Sequence, residues 1–176
     1  MSGRSDRDTK RSERVIHPFP PLFDSRSRIL ILGSFPSVRS REQQFFYGHP
    51  QNRFWKVIAA VTESEVPGTI DEKKALILDH GLALWDSIAS CRIAGSSDSA
   101  ITDVVPNDLS VILDSCNIEK FFCNGKKSHE IYSKYIEPVT GRPAEVLPST
   151  SPANAAWSSE RLIKEWGRAL GYAPDC

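Results

Sequence analysis

Residues 32–55 read LGSFPSVRSREQQFFYGHPQNRFW, and this stretch decides the fold class of the chain. It continues an apolar run, ILIL at residues 29–32, which ends at Gly33. A buried strand that ends at glycine and leads into a polar loop is where an open α/β sheet binds its ligand. The stretch therefore predicts a parallel strand followed by a ligand-binding loop.

The loop combines rigid turns, small hydroxyls and an amide with a set of aromatic side chains. This mixture is typical of a pocket for a flat, polar ring. A long β–α connection whose aromatics cover the core would explain the same pattern, and on the residues alone both interpretations stay open. The aromatic side chains of this stretch include Phe35, Phe46, Tyr47, Phe54 and Trp55.

Further along the chain, short apolar runs alternate with helical patterns, and this alternation predicts a parallel sheet with helices on both faces. We expect α/β architecture, a three-layer sandwich around a four-stranded sheet. Right-handed crossovers would bring the polar strand ends, GSFPS, WDS, CNG and PSTSPAN, to one edge as a cleft. The predicted strands are 28–32, 82–86, 120–123 and 144–147; the predicted helices are 52–61, 71–79, 106–115, 126–136 and 158–170; residues 91–100 are predicted as a loop.

The length and the charge set limits on the class of protein. The 176 residues fit one domain, predicted at residues 15–176 and preceded by a polar tail, residues 1–14, that we expect to be disordered. The 22 basic and 22 acidic side chains cancel, so a phosphate-binding face has to be local. We expect no membrane segment, a monomer, and a cytoplasmic location if the source is a prokaryote. The four cysteines and four histidines show no metal-ligand spacing, so we expect no metal and no other cofactor.

Three segments resemble the uracil-DNA glycosylase superfamily: GSFPS at 33–37, YGHPQNRFW at 47–55 and LPSTSPAN at 147–154. The first two are spaced as in the mismatch-specific uracil and thymine glycosylases. The third is similar to the Pro-Ser loop by which those enzymes reach DNA. The resemblance extends from residue 28 over most of the chain. It implies a uracil-DNA glycosylase-like fold and an enzyme that hydrolyses the N-glycosidic bond of a base in DNA.

One position departs from the common pattern of that superfamily. The third residue of its first motif is usually Asn or Asp and positions the attacking water, whereas this chain has Phe35 there. GSFPS together with YGHPQN is similar to the hypoxanthine-DNA glycosylase branch, in which the Asn of the second motif is catalytic. The resemblance thus assigns catalysis to Asn52. From local sequence alone Asn52 is better explained as a helix N-cap, and the two roles are compatible.

The resemblance also implies which residues contact the base. Tyr47 occupies the stacking position, with Phe46 beside it, although core packing would explain Phe46 equally well. Asp86 ends the second strand where the uracil and thymine enzymes place a base-reading Asn, and a loop-start Asp is an equal alternative. We expect His49 to be structural. The predicted base-binding residues are Gly33, Ser34, Phe35, Phe46, Tyr47 and Asp86.

Small hydroxyl side chains in the turn-forming loops are candidates for DNA backbone contact, although simple Ser-rich turns would look the same. The predicted DNA-binding residues are Ser37, Ser149, Ser151 and Asn154, and the cations of a local rim are Arg39, Arg41, Arg53, Lys126 and Lys127. No lysine stands where a Schiff-base nucleophile would be expected.

We therefore expect a monofunctional DNA glycosylase that acts on DNA containing deaminated bases. Hypoxanthine in deoxyinosine is the first expected substrate, and hydrolysis would leave an abasic site. The same fold acting mainly on uracil is the enzyme alternative. A catalytically silent module that binds damaged DNA is the alternative from another class, and Phe35 is the feature that favours it.

Overall fold

The computed structural model describes residues 13–93 and 100–172. Its centre is a four-stranded parallel sheet with the strand order β3-β2-β6-β7. The predicted fold class is confirmed, and the bounds of the four predicted strands differ from the observed ones by at most one residue at either end. The seven strands of the described ranges are β1 (Glu13–Ile16), β2 (Ile29–Gly33), β3 (Leu82–Asp86), β4 (Ile88–Ile93), β5 (Thr102–Pro106), β6 (Lys120–Asn124) and β7 (Glu145–Leu147).

Alternate residues of β2 face two separate apolar cores, as expected for a strand buried on both sides. Ile31 packs on one side with helices α2, α3 and α7, while Leu30 and Leu32 pack on the other side with the segments 109–118 and 132–136. This is the predicted three-layer arrangement. The helices are α1 (Val38–Gln43), α2 (Phe54–Val61), α3 (Ile70–Asp79), α4 (Ser110–Leu113), α5 (Lys126–Ile131), α6 (Glu137–Thr140) and α7 (Ser159–Leu170).

The register of the sheet places the functional strand ends side by side. Gly33, at the end of β2, is opposite Asp86, at the end of β3. On the other side of β2, Leu32 is opposite Cys123, so Asn124 follows directly at the same edge. In turn Asn124 is opposite Leu147, after which the PSTSPAN segment begins. The predicted convergence of these loops is confirmed.

A second sheet was not predicted. Strands β1, β4 and β5 form an antiparallel sheet with β4 in the middle. The predicted loop 91–100 was therefore wrong for Cys91, Arg92 and Ile93, which belong to β4; residues 94–99 lie outside the described ranges. The predicted helix 106–115 was also too long, because Pro106 ends β5 and only Ser110–Leu113 is helical.

Two helical segments differ from the predictions for local reasons. Helix α1 was not predicted, and it begins where Ser37 Oγ accepts a hydrogen bond from Ser40 N–H. The predicted helix 126–136 is α-helical only to Ile131 and then π-helical over Tyr132–Ile136. This π segment lies just before Pro138, which has no N–H to donate to the preceding turn.

The N-terminal part of the described chain packs along both sheets. The predicted polar tail, residues 1–14, lies outside the described ranges as far as residue 12, and Glu13 and Arg14 belong to β1. The Pro-rich segment that follows reaches the edge of the central sheet, where Leu22 and Leu84 exchange two backbone hydrogen bonds of 2.9 Å. Over residues 13–93 and 100–172, no helix has the length and apolar character needed to cross a bilayer.

Candidate active site

A cavity of about 450 Å³ opens at the carboxyl ends of the central strands. This volume lies within the range of small-molecule and base-binding pockets. Ten of the eleven predicted site residues line it, and Asn154 does not. The predicted residues in the lining are Gly33, Ser34, Phe35, Ser37, Phe46, Tyr47, Asn52, Asp86, Ser149 and Ser151; the lining also includes His49, Asn124 and Thr150.

The amide of Asn52 is held in one orientation. Its Oδ1 accepts hydrogen bonds from the N–H of Phe54 and from the hydroxyl of Thr150, both at 2.9 Å. A backbone N–H can only donate, so the atom that faces Phe54 has to be the oxygen. Two donors occupy both lone pairs of Oδ1. The N-cap of α2 is Arg53, so Asn52 lies one residue before the N-cap position that its local sequence predicted, and its Oδ1 closes a turn onto Phe54. The Nδ2 group is what remains for the cavity.

A short chain of hydrogen bonds supports this amide from behind. Thr150 is fully buried, and its hydroxyl accepts from Nδ2 of Asn124 at 3.0 Å while donating to Asn52. The N–H of Thr150 donates back to Oδ1 of Asn124 at 3.1 Å. Nδ2 of Asn124 also donates to the hydroxyl of Tyr47 at 3.2 Å. Sequence analysis missed Asn124 and Thr150 as site residues, although both stand in the polar strand-end segments that signalled the cleft.

Gly33 gives two side chains room over the end of β2. A β-carbon at residue 33 would lie 2.3 Å from Oδ1 of Asp86 and 3.3 Å from the hydroxyl of Tyr47. Any other residue would displace the carboxylate. The close approach explains why a strand that is otherwise apolar ends in glycine at this point.

Asp86 is buried, and hydrogen bonds hold both its backbone carbonyl and its carboxylate. Its backbone carbonyl accepts from Nδ2 of Asn107 at 2.7 Å. Its carboxylate oxygen Oδ2 lies 2.7 Å from Nε2 of His17, a residue to which sequence analysis gave no role in the site. In the described part of the chain, no hydrogen bond reaches the other carboxylate oxygen, Oδ1.

The aromatic side chains form one wall of the cavity. Tyr47 has a left-handed backbone with φ of 51°, which turns its ring onto Phe54 at a centroid distance of 4.0 Å. Burial, together with the nearby Asp86 carboxylate, raises the pKa of Tyr47, so this phenol stays protonated. Phe46 is buried and packs edge-on against Phe19. Phe46 thus serves the core and the cavity wall together.

Phe35 joins the cavity to the second sheet. Its ring packs on the apolar cluster formed by Ile88, Cys91, Ile93, Ile101 and Ile131. The guanidinium of Arg41 lies 5.8 Å from its centroid. A benzyl side chain at this position can neither hold nor activate a water molecule, so the cavity wall here is apolar.

The serine hydroxyls at the rim accept backbone hydrogen bonds within their own turns. Ser149 Oγ accepts from the N–H of Ser151 at 3.1 Å, and Ser151 Oγ accepts from the N–H of Ala153 at 3.2 Å. In this arrangement each hydroxyl hydrogen can donate outward. Gly125, with φ of +93°, allows the close approach, since a β-carbon there would lie 3.1 Å from Cβ of Ser149.

Arg53 anchors the loop between Ser149 and Ser158, and this corrects its predicted position on an exposed cationic rim. Its guanidinium donates to the carbonyls of Ser151, Asn154 and Trp157, with distances of 3.3 and 3.1 Å for the first two. Asn154 Nδ2 donates to the carbonyl of Ser149 at 3.0 Å. The Asn154 side chain thus holds the loop together, and Asn154 is not among the residues that line the cavity.

His49 lines the cavity, and its Nδ1 accepts from the N–H of Gln51 at 3.1 Å. Because a backbone N–H must donate, the hydrogen of a neutral His49 ring is on Nε2. Over the described ranges, no group of three or more His, Cys, Asp or Glu side chains is arranged to hold a metal ion.

Comparison with known proteins gives consistent findings. The family model of the uracil DNA glycosylase superfamily matches residues 20–170. A protein named hypoxanthine DNA glycosylase from Methanosarcina acetivorans is 36% identical over 150 residues, which is 84% of this chain and 93% of that protein. A protein of the same name from Methanosarcina barkeri is 32% identical over 138 residues, 77% of this chain and 86% of that protein.

A solved structure agrees with the sequence comparisons. The solution NMR structure of a candidate uracil DNA glycosylase from Methanosarcina acetivorans superimposes with a TM-score of 0.75 at 31% identity. The match covers 89% of this chain and 97% of that one.

Proposed function

Since this chain belongs to the uracil DNA glycosylase superfamily, we propose that it is a monofunctional DNA glycosylase that releases hypoxanthine from deoxyinosine in DNA and leaves an abasic site. Two relatives that are 36% and 32% identical bear the name hypoxanthine DNA glycosylase. The observation that carries the proposal is the Asn52 amide, oriented by Phe54 and Thr150 at the wall of the cavity.

The role that we assign to Asn52 is donation to the departing base. As the N-glycosidic bond breaks, the sugar becomes oxocarbenium-like and the base gains negative charge. A fixed N–H donor aimed at the base stabilises that charge without reorganising during the reaction. Because both lone pairs of Oδ1 are taken by Phe54 and Thr150, the amide offers Nδ2 to the cavity and not an acceptor for water.

The base has to leave the helical stack before it can enter this cavity. We assign Tyr47 as the stacking surface, since one face of its ring is supported by Phe54 and the residue lines the cavity. Stacking of a base on such a ring contributes on the order of 1–3 kcal/mol. Phe46 and Phe35 supply the remaining apolar wall, which excludes water from the reacting bond.

Asp86 is the proposed reader of the base edge. Hypoxanthine carries an N1–H donor beside its O6 acceptor, and Oδ1 of Asp86 stands over Gly33 as an acceptor. The backbone N–H groups near Ser34 and Phe35 are the proposed donors to O6. Uracil offers a similar donor–acceptor pair, so these contacts favour deaminated bases as a class.

The DNA backbone would be held by the rim of small hydroxyls. Ser37, Ser149 and Ser151 are all in the cavity lining, and the hydroxyls of the last two accept a backbone N–H, so their own hydrogens can donate to a phosphate. Contacts of this kind position the flipped nucleotide without reading sequence. Asn154 acts indirectly in this scheme, by stabilising the loop that carries the two serines.

We place the enzyme with the genome, in the cytoplasm of a prokaryote, and we expect it to act as a monomer. No lysine is among the described residues that line the cavity. Base removal should therefore leave the strand uncut. The contacts that we assign need no cofactor.

Single-turnover release assays test the proposal with duplexes that contain deoxyinosine, deoxyuridine or deoxyxanthosine. Wild type should release hypoxanthine fastest. Asn52→Ala should slow release about 100- to 1,000-fold, the usual effect of removing one donor from a charge-stabilising site. Asn52→Asp is the sharper variant, since its carboxylate keeps the acceptor for Phe54 and Thr150 but has no N–H.

The two Asn52 variants distinguish donation from water activation. Donation predicts that Asn52→Asp is as slow as Asn52→Ala. An active Asn52→Asp would mean that the side chain orients water, and this would overturn the assigned role. Release of uracil without hypoxanthine would replace the proposed substrate. Absence of release with retained DNA binding would identify a silent binding module.

A further inference from the structure

His17 holds the base-reading carboxylate, although it comes from a segment far away in sequence and outside the residues that the family model matches. We propose that His17 is a positioning residue for Asp86, and that the pair forms a fixed acceptor for the ring N–H that distinguishes hypoxanthine from adenine and uracil from cytosine. The proposal rests on the proposed function, because it assigns Asp86 to base recognition.

The contact between the two side chains is built into the interior of the protein. His17 Nε2 lies 2.7 Å from Asp86 Oδ2, and the two side chains are only 4% and 7% exposed. At such burial a polar pair needs a defined geometry to offset the loss of its hydration. The backbone N–H of His17 donates to the carbonyl of Ala89 at 2.8 Å, so the segment that carries the imidazole is itself paired to β4.

Aromatic rings enclose the imidazole. Four of them lie at centroid distances of 4.5 to 6.5 Å from it, and these rings leave the imidazole little freedom to rotate away from Asp86. Two of these rings belong to residues that also line the cavity, so the same side chains enclose His17 and form part of the cavity wall. The enclosing residues are Phe19, Phe35, Phe46 and Trp85.

The hydrogen bonds define which atom of the pair acts toward the cavity. Because a carboxylate oxygen can only accept, the hydrogen between the two side chains is on Nε2 of His17, and the N–H of Phe19 lies 3.5 Å from Nδ1. Nε2–H then donates to Oδ2 of Asp86. The other oxygen, Oδ1, stands over Gly33 at the cavity floor. Because His17 occupies Oδ2, the oxygen of Asp86 that remains as an acceptor for the base is Oδ1.

An acceptor at this position selects by the presence of a ring hydrogen. Hypoxanthine carries N1–H next to its C6 carbonyl group, and uracil carries N3–H next to its C4 carbonyl group. Adenine carries a lone pair at N1, and cytosine carries one at N3. Either lone pair would repel Oδ1 of Asp86 and would leave that oxygen without a donor. Donation from His17 to Oδ2 also withdraws negative charge from the carboxylate, and this lessens its repulsion of the departing base.

Single-turnover release of hypoxanthine from a deoxyinosine duplex, at saturating enzyme, tests the proposal. The variants are His17→Ala, His17→Gln, Asp86→Ala and the double variant His17→Ala/Asp86→Ala. His80→Gln is the matched control, because His80 bonds the carbonyl of Leu76 at the end of α3 and does not line the cavity. Thermal melting of each protein reports folding separately from release.

We expect His17→Ala to slow release about 10- to 100-fold, the usual cost of losing a hydrogen bond to a charged group. His17→Gln keeps an N–H donor of similar reach and should recover most of the rate. Adding His17→Ala to Asp86→Ala should cause little further loss, because a positioning residue has no effect without the group it positions. A purely structural His17 would instead lower the rate by the same factor in both backgrounds.

The outcomes separate this inference from the proposed function. A wild type that releases neither hypoxanthine nor uracil refutes both. The proposed function stands if wild type releases hypoxanthine. The role of His17 alone is refuted if His17→Ala releases hypoxanthine as fast as wild type, or if the effects of His17→Ala and Asp86→Ala are additive in the double variant. If His17→Ala does not fold, His17→Asn takes its place, because the asparagine amide is too short to reach Asp86. A His17→Asn variant that releases hypoxanthine as fast as His17→Gln would refute the inference.

Discussion

The hydroxyl of Thr150 donates a 2.9 Å hydrogen bond to Oδ1 of Asn52, across 98 residues of sequence. This bond, with the one from Phe54 N–H, leaves the amide a single orientation. Asn124 in turn fixes the Thr150 hydroxyl as a donor, because Nδ2 of Asn124 can only donate to it. The orientation of the proposed catalytic amide is therefore set by two side chains that do not react.

Replacing Thr150 tests this arrangement. Thr150→Val removes the hydroxyl at nearly constant volume, so Oδ1 of Asn52 and Nδ2 of Asn124 each lose one hydrogen bond in the interior. We expect the single-turnover rate on deoxyinosine DNA to fall about tenfold and the free energy of unfolding to fall by about 1–3 kcal/mol. Thr150→Ser keeps the hydroxyl and should retain the rate. A Val variant as fast as wild type would show that Asn52 needs no support from this side.

Gly33→Ala tests the close approach of the carboxylate to β2. The new methyl group would lie 2.3 Å from Oδ1 of Asp86, so the carboxylate has to move by about an ångström. We expect about a hundredfold loss of rate, since a misplacement of that size in an active site has this order of effect. Gly167→Ala is the control, because its nearest neighbour would be Val61 at 3.8 Å. Full activity of Gly33→Ala would exclude Asp86 Oδ1 from the reaction.

Arg53→Lys tests how the loop 149–158 is held. Lysine keeps the charge but lacks the planar fork that contacts the carbonyls of Ser151, Asn154 and Trp157. We expect faster hydrogen exchange over residues 149–157 and a higher Kd for abasic-site DNA. Arg168→Lys is the control, because Arg168 is an exposed residue of α7 paired with Glu165. Unchanged exchange in this loop would contradict the anchoring role.

Cys123 predicts how stability depends on alkaline pH. Burial raises the pKa of Cys123 from its ordinary value of 9.0 to about 12. Above pH 9 the unfolded chain loses this proton while the folded chain keeps it, so the free energy of unfolding falls as the pH rises toward 12. The slope from one such group is at most about 1.4 kcal/mol per pH unit.

Denaturant unfolding at pH 8 to 11 measures this effect in wild type and Cys123→Ala. The alanine variant should be less stable at pH 8, because it leaves a small cavity among the residues that pack on β6, and its stability should decline less steeply with pH. Cys116, which follows α4 and is partly exposed, is the thiol with which the buried Cys123 is compared. Parallel curves for wild type and Cys123→Ala would contradict the prediction.

Much of the central fold could be predicted because its signals are local. Three strands of the parallel sheet, β2, β3 and β6, are short apolar runs that end in Gly, Asp or Asn, and β7 ends at Leu147 before a proline. The helices α3 and α7 begin at the capping residues Thr69 and Ser158. Burial on both sides of the sheet requires such runs wherever the strands occur. The three resemblance motifs then placed the cavity at the correct strand ends.

The antiparallel sheet could not be predicted in the same way. Strands β1, β4 and β5 are short, and their residues are largely exposed or half-buried. Their stability depends on partners far away in sequence, such as Glu13 opposite Ile93. The predicted tail took in only residues 13–14 of β1, the predicted loop took in residues 91–93 of β4, and the predicted helix began at the last residue of β5.

The sequence by itself determined the strands of the parallel sheet, the loops that carry the chemistry and the presence of Asn52 and Asp86 in them, because periodicity and motif spacing are properties of neighbouring residues. Only the tertiary structure decided which atoms of those two side chains face the cavity. Those atoms are selected by Thr150 and His17, which are 98 and 69 residues away, and a hydrogen bond over such separations exists only after the sheet has formed.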